Sequence, residues 1–142
     1  MKSTGTVLSA AAILLWVAVG MAWADPDLAG AIELDSRPLV LAPILLLSLD
    51  GIQFQLTNQQ GQFIFNNLES GPFVLTSLFF VSGSTFLDGS LFRDGVPLPS
   101  ALVLLLQSGG PKVSFIWWNG TYSFANLSTG LTTLLIFGLA FD

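Results

Sequence analysis

The sequence predicts an all-β fold: two small antiparallel β-sandwiches in tandem, behind an N-terminal signal peptide. Three observations predict it. The chain repeats itself without a gap at a shift of 59 residues, the step from Leu28 to Leu87. Short apolar runs are cut by Gly, Pro, Asn and Asp, leaving no room for helices after the N-terminal segment. Stretches such as "IQFQLT" (residues 52–57) alternate apolar and polar side chains, the period of a strand with one buried face.

The N-terminus comes first. Lys2 gives a short basic start, residues 7–21 are mostly apolar, and Ala22-Trp23-Ala24 is an A-x-A cleavage pattern before the polar Asp25-Pro26-Asp27. Residues 1–24 therefore read as a signal peptide, too short in apolar length for a retained anchor. Residues 25–81 form the first repeat, 82–86 a linker and 87–142 the second repeat.

The identities between the copies fall where a backbone turns or a core fills. They include Gly30/Gly89, Asp35/Asp94, Pro38/Pro97, Ala42/Ala101, Gly51/Gly110, Gly61/Gly120, Phe65/Phe124, Asn67/Asn126, Gly71/Gly130 and Leu75/Leu134. In the first copy strands are expected near 30–34, 42–47, 52–57, 62–66 and 73–81, bounded by turns at 35–38, Asp50-Gly51, 58–61 and 68–71. In the second they are expected near 89–93, 101–107, 112–118, 121–125 and 132–141. The turns there are Asp94-Gly95, 108–111, Asn119-Gly120 and 127–130.

Alternation assigns the faces. Ile52, Phe54 and Leu56 are expected in the core and Gln53, Gln55 and Thr57 outside. The repeat carries this to Val113, Phe115 and Trp117 inside and to Ser114, Ile116 and Trp118 outside. Ala42, Ile44 and Leu46 match Ala101, Val103 and Leu105 as core. Leu45 and Leu47 match Leu104 and Leu106 and should face outward, joined by Val74, Leu135 and Phe137. Leu45, Leu47, Leu104, Leu106, Leu135 and Phe137 thus form a candidate assembly surface, because an outward apolar patch usually marks an interface.

Composition excludes much chemistry. Only 9% of residues are charged, against a usual quarter, and the net charge is −5. The basic residues are Lys2, Arg37, Arg93 and Lys112, too few to neutralise a nucleic acid backbone. With no histidine and no cysteine, triads, thiol chemistry, disulfides and ordinary transition-metal sites are not expected. Asp35, Asp50 and Asp94 sit in turns, where a carboxylate bonds to backbone, and no Asp-x-Asp-x-Asp calcium loop occurs. No catalytic, cofactor-binding or metal residue is expected, and the chain is not read as an enzyme. Mean hydropathy is +0.74, extreme for a soluble chain.

The second copy carries Gly89, Asp94-Gly95-Val96-Pro97-Leu98, Ala101-Leu102-Val103-Leu104-Leu105, Asn119-Gly120-Thr121-Tyr122-Ser123-Phe124, Asn126-Leu127 and Gly130. This pattern resembles the carboxypeptidase regulatory-like domain, a transthyretin-like β-sandwich. The first copy follows it more weakly at Asp35-Ser36-Arg37-Pro38 and Gln60-Gly61-Gln62-Phe63-Ile64-Phe65. The resemblance implies accessory, adhesive, stalk or carbohydrate-binding-like modules without an active site of their own. The number of apolar residues on both strand faces departs from it.

The expected function is that of a non-enzymatic secreted or cell-surface structural or adhesion protein. Its expected partner is itself, in a homo-oligomer or polymer such as a filament or sheath, or another surface protein. An alternative is a carbohydrate-binding module in which Trp118, with Tyr122, stacks on a polysaccharide. An outer-membrane β-barrel is the third reading, weakened by strands shorter than the 9–11 residues that cross a bilayer. Asn119 and Asn126 head N-x-S/T sequons and are candidate glycosylation sites, although turn structure alone accounts for both.

Overall fold

The computed structural model describes residues 28–83, 85–98 and 101–140; the expected signal peptide, residues 1–24, lies outside them. Every regular element described is a strand. The first copy supplies β1 (Leu28–Leu34), β2 (Arg37–Pro38), β3 (Pro43–Ser48), β4 (Gly51–Leu56), β5 (Gln62–Phe65) and β6 (Gly71–Val81). The second supplies β7 (Phe86–Arg93), β8 (Val96–Pro97), β9 (Leu102–Leu106), β10 (Lys112–Phe115), β11 (Thr121–Ala125) and β12 (Gly130–Ala140). Two antiparallel sheets result. In the first sheet β11, β7 and β1 are neighbours, β5 and β2 pair with β1, and β8 pairs with β7. In the second the order is β10-β9-β12-β6-β3-β4.

The copies do not form two separate sandwiches across a linker. They merge edge to edge, because β1 pairs with β7 in one sheet and β6 with β12 in the other. Strand β7 begins at Phe86, inside the stretch expected to be linker. The registers are reciprocal. Leu28 lies opposite Arg93 while its counterpart Leu87 lies opposite Leu34; Gly71 lies opposite Ala140 while its counterpart Gly130 lies opposite Val81. Ala31 faces its own counterpart Ser90, and Thr76 its counterpart Leu135. A pseudo-two-fold axis therefore passes through these two pairs. The copies meet as two subunits of an isologous dimer do, within one chain.

One core serves both copies. Ile44, Leu46 and Leu75 join Val103, Leu105, Leu134 and Ile136 from the second sheet, and these pack on Leu28, Ile32, Phe63, Phe65, Leu87, Leu91, Tyr122 and Phe124 from the first. The inward rows expected from Ala42, Ile44 and Leu46 and from Ala101, Val103 and Leu105 are all buried. Each fully buried leucine of this kind contributes about 2 kcal/mol of transfer free energy. A smaller cluster of Ala29, Ala31 and Phe92, with Ile64 beside it, lies on the other face of the first sheet.

The start of the second copy is tied to the first by Asp35. Asp35 has φ of 50° in the β1–β2 turn. Its Oδ1 accepts the Thr85 amide at 2.9 Å, the Thr85 hydroxyl at 2.9 Å and the Phe86 amide at 3.0 Å. Its own amide donates to the Phe86 carbonyl at 3.0 Å. A turn aspartate expected to bond locally instead bridges the copies. The Thr85 amide, with the other donors, holds its carboxyl below the ordinary 3.8. A carboxyl depressed on folding stabilises the fold above its unfolded pKa, and that stability is lost as pH falls through the folded value. Asp35→Asn is expected to lower the melting temperature at pH 7 and to lose this difference from wild type as the pH falls through the depressed carboxyl value; thermal melts across pH check it.

Candidate functional site

Residues directly opposite across a strand pair share a face, so the registers of the second sheet define its outer rows. One row runs from edge to edge through Ile52, Leu47, Val74, Phe137, Leu102 and Phe115. The next, crossed by the pseudo-two-fold, runs through Phe54, Leu45, Thr76, Leu135, Leu104 and Val113. A third holds Leu56 opposite Pro43, and Leu78, Thr133 and Leu106. Phe80 lies opposite Leu131 beyond it. These rows contain no charged residue, and Thr76 and Thr133 are their only polar side chains.

The six residues expected to form an assembly surface all stand in these rows. Leu47, Leu106 and Phe137 are exposed, and Leu45, Leu104 and Leu135 are half-buried between their neighbours. The inner side of the same strands carries Ile44, Leu46, Leu75, Val103, Leu105, Leu134 and Ile136, so β3, β6, β9 and β12 are apolar on both faces.

Three expectations are corrected here. Ile52, Phe54 and Leu56 do not enter the core; Ile52 is 68% and Phe54 62% exposed. The edge strand β4 pairs only with β3, and Phe54 opposite Leu45 must share its outward face. The polar alternate residues point inward at the open end of the sandwich, where the Gln55 Oε1 accepts the Ile64 amide of β5. The same inversion holds for Val113 and Phe115, both exposed.

Trp117 is the second correction. Strand β10 stops at Phe115, and Trp117 lies in the following turn, 64% exposed, with Trp118 at 79%. Ile116 is the buried residue instead, bonding through its amide to the Ala101 carbonyl as Thr57 does to Ala42. In the first copy Asn58 occupies the place of Trp117, and its Oδ1 caps the turn by accepting the Gln60 and Gln62 amides, each at 2.9 Å. In the second copy Asn119 takes over capping, its Oδ1 accepting the amide and hydroxyl of Thr121 at 3.2 and 2.8 Å. That transfer relieves the side chain at 117 of the capping role, while its backbone still closes the turn with Gly120 and Thr121, and the position can carry an exposed tryptophan.

Tyr122 is the third. It is buried across from Gly89 on the core side of the first sheet and cannot stack on a sugar beside Trp118. Burial pushes its phenol well above the ordinary range. Asn126 is exposed with φ of 57°, and its counterpart Asn67 has φ of 62°; each serves the left-handed backbone of a turn. No known protein family and no curated protein matches this chain.

Proposed function

We propose that the protein is a non-enzymatic secreted or cell-surface structural protein that works by associating through the outer face of the second sheet. The observation that carries this reading is the breadth of that face: six strands wide, with no charged side chain among the described residues of its rows. A typical monomer exposes contiguous apolar patches of about 300–600 Å² at most, and a larger one marks an interaction site. At roughly 25 cal/mol per Å², covering it releases several kcal/mol that the isolated chain does not gain. Export is supported by the signal-peptide pattern of residues 1–24, and a module without an active site agrees with the resemblance to carboxypeptidase regulatory-like domains. The open order of the second sheet, ending at β4 and β10, favours this reading over a membrane barrel. Sedimentation velocity and negative-stain microscopy of the full chain test it: association at micromolar concentration is expected, and a clean monomer contradicts it.

A second reading is supported by the exposed pair Trp117 and Trp118, which offers two indole faces for a polysaccharide. Polysaccharide pull-down lost in both Trp117→Ala and Trp118→Ala favours it; binding that survives both removes it.

A further inference from the structure

We propose that the outer face of the second sheet is covered by a second copy of this chain, sheet on sheet, in a closed two-fold dimer of four stacked layers. This rests on the association reading above and adds its occupant and geometry.

The size of the face fits one side of such an interface. Six strands at ~4.8 Å spacing give a width of about 29 Å. The eleven-residue β6 and β12 run ~37 Å through its middle, and the shorter β3, β4, β9 and β10 narrow it toward the edges. The sheet area is roughly 700 Å², close to the ~800 Å² that each partner buries in a standard-size complex.

The chemistry fits a like partner. A face without charge meets its own copy with no like-charge repulsion. Its leucines are of the same kind as those the inner side of the same strands already packs against another sheet, at a spacing of about 10 Å. The pseudo-two-fold through Thr76 and Leu135 stands normal to the sheet, so the row ending in Ile52 and Phe115 recurs, reversed, in the row holding Leu56 and Leu106. A copy turned over onto this face meets equivalent rows at both ends, and the contact closes on itself instead of propagating.

Other occupants fit less well. The chain has four basic residues and a net charge of −5, so an anionic lipid surface repels it. A sugar needs several convergent polar groups, and the rows offer only Thr76 and Thr133.

The test uses the absence of native cysteine. Thr76→Cys places a thiol at the centre of the face, and Ser123→Cys places one on the exposed edge strand β11 of the other sheet. At micromolar concentration the Thr76→Cys thiol is expected to react with a thiol reagent at least roughly tenfold more slowly than the Ser123→Cys thiol. The protection should vanish on dilution, and adding Leu135→Glu should abolish it with the circular dichroism unchanged. Assemblies in which the Thr76→Cys thiol stays reactive overturn face-to-face docking while leaving association intact. Flotation of the chain with neutral phosphatidylcholine vesicles as a lipid-bound monomer overturns it in favour of lipid. A monomer at every concentration with a freely reactive thiol overturns both this inference and the association reading.

Discussion

Gly89→Ala is expected to destabilise the fold by about 3 kcal/mol, the upper range for forcing a methyl into a packed site. Gly89 lies opposite Tyr122 across the β7–β11 ladder, and a Cβ there would overlap the tyrosine ring. The phenol end of the ring occupies the space over the bare backbone and is buried, so it has little room to move. The repeat supplies an independent copy of the experiment. Gly30 lies opposite Phe63, the counterpart of Tyr122, and a Cβ there would overlap the Ser90 carbonyl oxygen and stand 2.7 Å from the Phe63 ring. Gly30→Ala should therefore cost at least as much, because the Ser90 carbonyl is backbone and cannot swing aside. Urea unfolding at constant slope reads the change. In a Tyr122→Leu background the Gly89→Ala penalty should shrink, because the group it collides with has gone. A neutral Gly89→Ala would mean that the aromatic does not cover the glycine.

The adjacent leucines 104 and 105 give the second large effect. Leu105 is fully buried in the shared core, whereas Leu104 faces outward between Leu135 and Val113. Leu105→Lys buries an unpaired charge and should cost several kcal/mol, a large part of a total stability of about 5–15 kcal/mol. Leu104→Lys can lay its stem along the sheet and hold its ammonium in water, so the fold should change by about 1 kcal/mol or less. Its effect should appear in association, as a loss of oligomer by sedimentation. If both variants unfold, the outer face is not outer; if both fold and associate, the face plays no part.

Much of this architecture was legible in residues. The gapless shift from Leu28 to Leu87 placed every long strand of the second copy on its counterpart, and the inward rows of β3 and β9 followed from alternation. The partner of each edge was not legible, because repetition shows which segments are equivalent and not which ones pair. A hint lay in "LTSLFFV" and "LTTLLIFGLAF": runs apolar on both faces belong to central strands, and β6 and β12 are the two middle strands of their sheet. The inverted faces of β4 had a missed signal too. A two-residue hairpin loop pairs even with odd positions, so Phe54 had to share a face with Leu45 or Leu47 whatever its alternation suggested. Alternation marks two faces, and on an edge strand beside an apolar outer surface it does not say which one is core.

The two copies fuse across β6 and β12 into one sandwich with a broad apolar outer face. Native-state hydrogen exchange tests it most directly. A central strand has both edges paired, so successive amides are all protected, whereas an edge strand protects only alternate ones. Consecutive amides of β6 and β12 are predicted to exchange slowly, with Leu75 and Ile136 sharing the free energy of global unfolding, while β4 and β10 alternate between slow and fast. Alternating protection along β6 and β12, with different opening energies for the two copies, would contradict the fused sandwich.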